Sequence, residues 1–273
     1  MKIPTFLKWP GGKRRLISQL ELYFPKKIKT YYEPFMGAAS IFFYIKQKYN
    51  PQFCVISDIN KDLVEAFIDV RDNSKKLLKQ LKLFKKNHSK EFYYLTRKRF
   101  NQNKFRNEKK SAAFIYLNKT CYNGMYRVNS NGKFNVPLGR YKDQEIFNEE
   151  NLLFASELLQ GVKIVCQDYR KILSNLKKGD FVYLDPCYDP LKKTSFVNYT
   201  PGRFKLEDRE DLFRFMIESR KRGASLMLSN NNLELVKEMY LEQKFKINIL
   251  FAARSINSNP LQRGKISELL ITN

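Results

Sequence analysis

Apolar and polar positions follow two different periods along this chain. Short, nearly continuous apolar runs occur at residues 31–33, 53–57, 163–166, 181–184, 225–228, 245–250 and 267–272. Runs of this length, bounded by Gly, Pro, Asn and Asp, predict strands buried on both faces. Helical patterns fall between them, at about 38–48, from about Lys61 onward, and at 207–222. Strand alternating with helix predicts an α/β fold on a largely parallel sheet. The alternation fails in one place. Leu77, Leu78, Leu81 and Phe84 recur at helical spacing, and so do Phe92, Tyr93 and Leu95, with no strand among them. The chain therefore divides into an α/β unit from residues 1–60 and 155–273 and an inserted, mostly helical subdomain at 61–154.

Charge sharpens this picture. The formal net charge is +24, from 51 Lys and Arg against 27 Asp and Glu. Residues 71–110 hold 15 of the basic and 3 of the acidic residues, so half the excess lies in the insertion. Such an excess repels a compact chain from itself and points to a polyanionic partner. A membrane is the poorer candidate, because no apolar run approaches the roughly 20 residues that span a bilayer. The N-terminal residues also lack the apolar stretch of a secretory signal. Cys54, Cys121, Cys166 and Cys187 are scattered with no CxxC pair, and His88 is the one histidine. No Cys/His metal centre is expected, and the unpaired thiols fit a reducing, cytoplasmic compartment. His88, in a Lys-rich polar stretch, is expected to be a solvated residue without a role.

The chemistry concentrates at the ends of the predicted strands. Asp185-Pro186-Cys187-Tyr188 closes the run Phe181-Val182-Tyr183-Leu184. A carboxylate, a rigid carbonyl and an aromatic ring at one strand tip suit a flat base bearing an amino group. After the first strand, Glu33-Pro34-Phe35-Met36-Gly37-Ala38-Ala39 offers small residues and a helix N-terminus to a ligand. Asp58, at the end of the second strand, suits the hydroxyls of a nucleoside ribose. It equally suits the N-cap of the next helix. Phe6-Leu7-Lys8-Trp9-Pro10-Gly11-Gly12-Lys13 forms a shaped loop with the sole tryptophan. Further on, Asn131-Gly132 predicts a β-hairpin between Tyr122-Asn123-Gly124-Met125-Tyr126-Arg127 and Phe134-Asn135-Val136-Pro137-Leu138-Gly139-Arg140-Tyr141. A hairpin with arginines, amides and aromatics suits a groove of duplex DNA. Its arginines would either read guanine or neutralise phosphates.

These segments, in this order, and Arg263-Gly264-Lys265-Ile266-Ser267-Glu268 near the end resemble the Dam family of DNA adenine methyltransferases, and within it the members acting on GATC. The resemblance runs from about Phe6 to the C-terminus. It implies a Rossmann-like, seven-stranded methyltransferase domain, S-adenosyl-L-methionine as cofactor, double-stranded DNA as substrate and flipping of the target base. A cognate restriction endonuclease is a possible partner. Carried over by motif, Trp9, Lys13, Phe35, Gly37, Asp58 and Asp185 line the cofactor pocket, and Asp168 with Tyr169 holds its adenine. Asp185, Pro186 and Tyr188 form the catalytic set. Lys8 contacts the first guanine, and Tyr122 and Asn123 act near the flipped base. Met125 and Arg127 read the second half of the site, Pro137 meets a thymine methyl, and Arg140 touches the DNA backbone or a neighbouring base. The sequence departs from the family pattern twice. Cys187 stands where a second proline is usual, and Ala39 where a glycine is common, which a negative φ at Ala39 would accommodate. Pro186-Cys187 also admits a thiolate acting on cytosine. That reading leaves Asp185, Tyr188 and the other segments unexplained. A catalytically silenced DNA-binding homologue and an RNA adenine methyltransferase remain as alternatives. An A-form major groove is too narrow for a hairpin to read, which disfavours RNA.

Overall fold

In the computed structural model, residues 1–140, 145–186, 206–253 and 265–273 are described. Cys187, Tyr188, Tyr141, Arg263 and Gly264 lie outside them. The elements run α1 (Ile17–Leu20), β1 (Thr30–Glu33), α2 (Ser40–Lys48), β2 (Phe53–Asp58) and α3 (Lys61–Asp72). The helices α4 (Ser74–Lys86), α5 (Lys90–Asn101), α6 (Asn107–Thr120) and α7 (Glu149–Leu158) follow. Then come β3 (Lys163–Cys166), β4 (Phe181–Leu184), α8 (Leu206–Lys221), β5 (Ser225–Asn231), α9 (Glu234–Glu242), β6 (Lys246–Ala253) and β7 (Lys265–Thr272).

The seven strands form one sheet in the order β3-β2-β1-β4-β5-β7-β6. β1 to β5 are mutually parallel, and β7 inserts antiparallel between β5 and β6. This is the Rossmann-like, seven-stranded fold expected. β1, β4 and β5 are buried on both sides because helices cover both faces of the sheet there. Successive residues therefore serve opposite cores. Tyr31, Phe181 and Tyr183 join the core with α2 and α3, whereas Tyr32, Val182 and Leu184 join the core with α8 and α9.

The basic segment is helical, as its periodicity predicts, and Leu77, Leu78, Leu81 and Phe84 are the buried stripe of α4. In α5 the buried positions are Tyr93, Thr96 and Phe100. Leu95 is exposed instead, because the face of α5 turned inward runs through positions three and four residues apart from Tyr93. The helix α6 is buried on all sides from Ser111 to Thr120 and packs against α3, α4 and α5. The core containing α2 and α3 continues without a break into these helices. No helix among the described residues is long and apolar enough to cross a membrane.

The expected hairpin forms without strands. Only single antiparallel bridges join Val128 to Phe134 and Cys121 to Leu138. Asn129 N–H donates to Lys133 O, and Gly132 N–H to Asn129 O. The loop is thus three residues long, with Gly132 in the left-handed region at φ 69° and Asn131 not. The return segment bonds to the outgoing one, Asn135 N–H donating to Arg127 O and Tyr122 N–H to Pro137 O, and also to α5. Asn101 accepts from Phe134 N–H and donates to Phe134 O, each at 2.9 Å, and Tyr93 Oη and Arg97 Nη1 both donate to Val136 O.

Candidate active site

β1 and β4 are neighbours whose onward connections leave in opposite directions, toward β2 on one side and β5 on the other. A crevice opens beyond the carboxyl ends of such strands, and ligands bind there. The segments that end β1, β2, β3 and β4 are those carrying Glu33 to Ala39, Asp58, Asp168 and Asp185. Backbone bonds tie this rim together: Met36 N–H donates to Ser57 O, and Gln167 N–H to Asp58 O.

Asp185 is half-buried at the tip of β4, and Pro186 behind it is buried. Lys13, in a short 3-10 turn (Lys13–Leu16), reaches Asp185 Oδ1 at 3.0 Å and Glu268 Oε2 at 3.2 Å. Its side chain is only 3% exposed. Burial works against the ammonium charge, but the carboxylates of Asp185 and Glu268 outweigh it and raise the Lys13 pKa. Burial also raises that of Glu268, with Lys13 opposing. The family motif puts Lys13 in the cofactor pocket; the structure shows it anchoring the Asp185 carboxylate. Sequence reasoning misses Glu268 as a site residue, although it stands in one of the matching segments. The one signal is an acid inside the apolar run of β7.

Behind Asp185 lies Glu33. Burial pushes its carboxyl up to about 8; the Tyr31 hydroxyl, donating at 2.7 Å, opposes, and the charge of Asp185 adds to the rise. At neutral pH this favours the protonated form of Glu33, which packs in the core with Tyr31.

Asp58 does not cap α3; Asn60 does, accepting from Leu63 N–H. That leaves Asp58 to the rim, where Oδ1 accepts from Asn60 N–H and Oδ2 from Gly37 N–H at 3.4 Å. Burial raises its pKa to about 6 against those amide bonds. Nearby, Ser57 Oγ is buried with no partner among the described residues. Gly37 has φ 46°, and a Cβ there would lie 2.9 Å from Trp9 Cδ1, so the turn and the indole are in close contact. Phe35 and Tyr169 place their rings 5.2 Å apart. An acid at the end of β2 and a pair of rings from the segments after β1 and β3 suit a nucleoside. Asp168 caps the turn Tyr169–Asn175 through Arg170 N–H and is also ion-paired to Arg170. Ala39, expected at negative φ, stands at φ 54°, ψ 33°. The turn into α2 puts a left-handed residue there, a conformation that glycine adopts without cost.

The segments expected to read DNA meet this rim through Trp9, which touches Gly37. Trp9 stacks on Tyr126 at 5.6 Å and 20°. Lys8 is half-buried, and burial lowers its pKa against the effect of Cys121. Tyr122 is exposed, Asn123 is left-handed at φ 55°, and Tyr122 N–H donates to Pro137 O at 2.9 Å. Met125 and Arg127 are half-buried, and Arg127 Nε donates to Asn135 Oδ1 at 2.8 Å. Pro137 and Arg140 are exposed. His88, though exposed, is not idle: its Nδ1 lies 2.7 Å from Tyr116 Oη. Lys110 in the basic segment is engaged with Asp62 and Glu65, each at 2.7 Å, and so is poorly placed to neutralise phosphate.

A family profile described as D12 class N6 adenine-specific DNA methyltransferase matches residues 9–256. Type II methyltransferase M.MjaIII of Methanocaldococcus jannaschii is 43% identical, with all of both chains covered. Type II methyltransferase M1.LlaDCHI of Lactococcus lactis subsp. cremoris is 35% identical, over 100% of this chain and 96% of that one. The DNA adenine methylase of Escherichia coli K12 is 34% identical, over 97% of this chain and 94% of its own.

Proposed function

We propose that this chain, which belongs to the D12 class N6 adenine-specific DNA methyltransferase family, methylates the amino group of the adenine in GATC after swinging that base out of the duplex. S-adenosyl-L-methionine is the methyl donor, and its sulfonium supplies an electrophilic methyl group. The observation that carries the reading is the Asp185 carboxylate, held by a buried Lys13 at the switch point between β1 and β4. The adenine amino nitrogen is a poor nucleophile, because its lone pair is delocalised into the ring. In this reading Asp185 accepts one of its N–H groups and the Pro186 carbonyl the other, which localises the lone pair on nitrogen. Tyr188 supplies the ring on which the extruded base stacks. No covalent bond to the enzyme is needed, so Cys187 acts as a small apolar filler and not as a nucleophile. Positioning and electrostatics carry the rate.

Asp58, Phe35, Gly37, Trp9, Asp168 and Tyr169 are the residues proposed to hold the cofactor. Residues 61–154 would form the DNA-recognition part, with Lys8, Tyr122, Asn123, Met125, Arg127, Pro137 and Arg140 touching the site. The GATC assignment is supported by the family resemblance of those motifs. The two relatives named type II methyltransferases favour pairing with a restriction endonuclease.

The test is transfer of labelled methyl from S-adenosyl-L-methionine to duplexes that differ at one base of GATC. Transfer is expected on GATC, with digestion of the product placing the label on the adenine amino group. Equal transfer to every duplex would remove the GATC assignment. Asp185→Ala should abolish transfer while leaving DNA binding within a few-fold. A near-parental rate in that variant would remove Asp185 from the catalytic set.

A further inference from the structure

Asn118 makes three hydrogen bonds from one side chain that is almost wholly buried. Its Oδ1 accepts from Lys8 N–H at 2.8 Å. Its Nδ2 donates to Lys8 O at 2.7 Å and to Gly124 O at 3.2 Å. A carboxamide has two N–H donors, and both are used. Asn118 therefore grips Lys8 as a neighbouring strand would, in a stretch that has neither strand nor helix of its own. The same amide fixes the turn Tyr122–Gly124.

Packing repeats the constraint. Gly124 has φ 62°, and a Cβ there would lie 2.6 Å from Lys8 Cδ and closer still to its Cβ. The aliphatic stem of Lys8 thus lies across Gly124, in a slot only glycine leaves open. On the far side Trp9 is held between Gly37 and Tyr126. A lysine ammonium ends a flexible four-carbon stem, so it selects a base only if the start of that stem is fixed.

We propose that Asn118 is a specificity-positioning residue: by clamping both backbone polar groups of Lys8 and the carbonyl of Gly124, it sets where the Lys8 ammonium meets a base edge. It thereby governs the choice of the first guanine of the site. The inference rests on the proposed reading of that guanine by Lys8. Neither aspartate nor alanine can replace the clamp. Asn118→Asp keeps the shape but turns one oxygen toward the carbonyls of Lys8 and Gly124, and Asn118→Ala leaves all three bonds unmade.

The experiment compares methylation rates on GATC and its single-base variants for the parent, Asn118→Asp, Asn118→Ala, Lys8→Ala and the double variant Lys8→Ala/Asn118→Ala. The midpoint of thermal unfolding is measured for each. A lysine–guanine contact is worth about 1–3 kcal/mol of discrimination. The Asn118 variants should therefore lose roughly five-fold or more at the first base pair and keep their selectivity at the other three. The double variant should discriminate no worse there than Lys8→Ala, since the two residues act through one contact. Uniform slowing on every duplex would mark Asn118 as merely structural and overturn the proposal. So would intact discrimination in the Asn118 variants beside a loss in Lys8→Ala. Full discrimination in Lys8→Ala would instead refute the reading of guanine by Lys8, and the inference would fall with it. Should the Asn118 variants not fold, Gly124→Ala acts on the same contact by displacing the Lys8 stem. A loss confined to the first base pair supports the proposal, and its absence overturns it.

Discussion

Ala39 ends the turn after β1 in a left-handed conformation, its N–H bonded to Met36 O, with its methyl buried. A Cβ in that region costs roughly 1–2 kcal/mol. Glycine would relieve this strain, but it would lose a buried methyl worth about 0.8 kcal/mol. It would also free the unfolded chain by about 0.4–1 kcal/mol. These effects nearly cancel, so Ala39→Gly should fall within about 1 kcal/mol of the parent in urea unfolding, unlike an alanine-to-glycine change inside a helix. A loss above about 2 kcal/mol would contradict the left-handed assignment. Glu33 gives a pH signature at the same turn. Its pKa lies near 4.5 in the unfolded chain and near 8 in the fold. A carboxyl raised on folding stabilises fully below the lower value, and that contribution is lost as pH rises through the higher one. Glu33→Gln keeps a carbonyl for the Tyr31 hydroxyl and cannot ionise. Between pH 5 and 8 the parent should lose stability relative to this variant, at up to about 1.4 kcal/mol per pH unit. Parallel stability curves for the two proteins would mean that Glu33 does not change its protonation on folding.

At the scale of elements, the loop proposed to read DNA is held by α5 as well as by single bridges of its own. Asn101 clamps Phe134 much as Asn118 clamps Lys8. Asn101→Ala leaves both polar groups of Phe134 without their partner, and each buried group so stranded costs about 1–3 kcal/mol. Amide exchange at Phe134 should accelerate, and discrimination at the thymine expected to meet Pro137 should weaken. Unchanged exchange at Phe134 would show that α5 does not support the loop. These clamps explain what is legible in the chain. The run that forms β4 stands out to the residue, because a parallel strand buried on both faces admits little polarity. The carboxylates at the strand ends are legible for the same reason: each breaks an apolar run at a place the topology turns into a crevice. Asn131-Gly132 announces a turn correctly but not a strand pair, since the competing hydrogen bonds come from α5, whose Asn101 lies 33 positions before Phe134. Glu268 and Asn118 are invisible as site residues because their partners, Lys13 and Lys8, are near the other end of the chain or 110 positions away. Lys110 looks like a phosphate ligand until its acidic neighbours on α3 are placed beside it.

Across the whole molecule, the excess of 51 basic over 27 acidic residues needs an outlet that the ion pairs do not provide. Some basic groups are committed inside the fold, as Lys13 and Lys110 are. The lysines of α4 are different. Their helix buries Leu77, Leu78, Leu81 and Phe84 and turns Lys75, Lys79 and Lys86 to solvent. A row of like charges on an exposed face contributes little to stability, but it extends an attractive field toward a polyanion over about a Debye length, roughly 8 Å at physiological salt. Such a field acts on the encounter more than on the bound complex. Replacing Lys75, Lys79 and Lys86 together by Gln should therefore slow association with duplex DNA at low ionic strength, by several-fold at about 50 mM salt. The difference should fade as salt screens the field, and the dissociation rate and the preference among single-base variants of the site should stay as in the parent. Stopped-flow association and dissociation rates across a salt series separate the outcomes. If the triple variant instead dissociates faster at every salt concentration, these lysines hold phosphates directly and α4 belongs to the DNA interface. If neither rate moves, the attractive field originates elsewhere on the insertion.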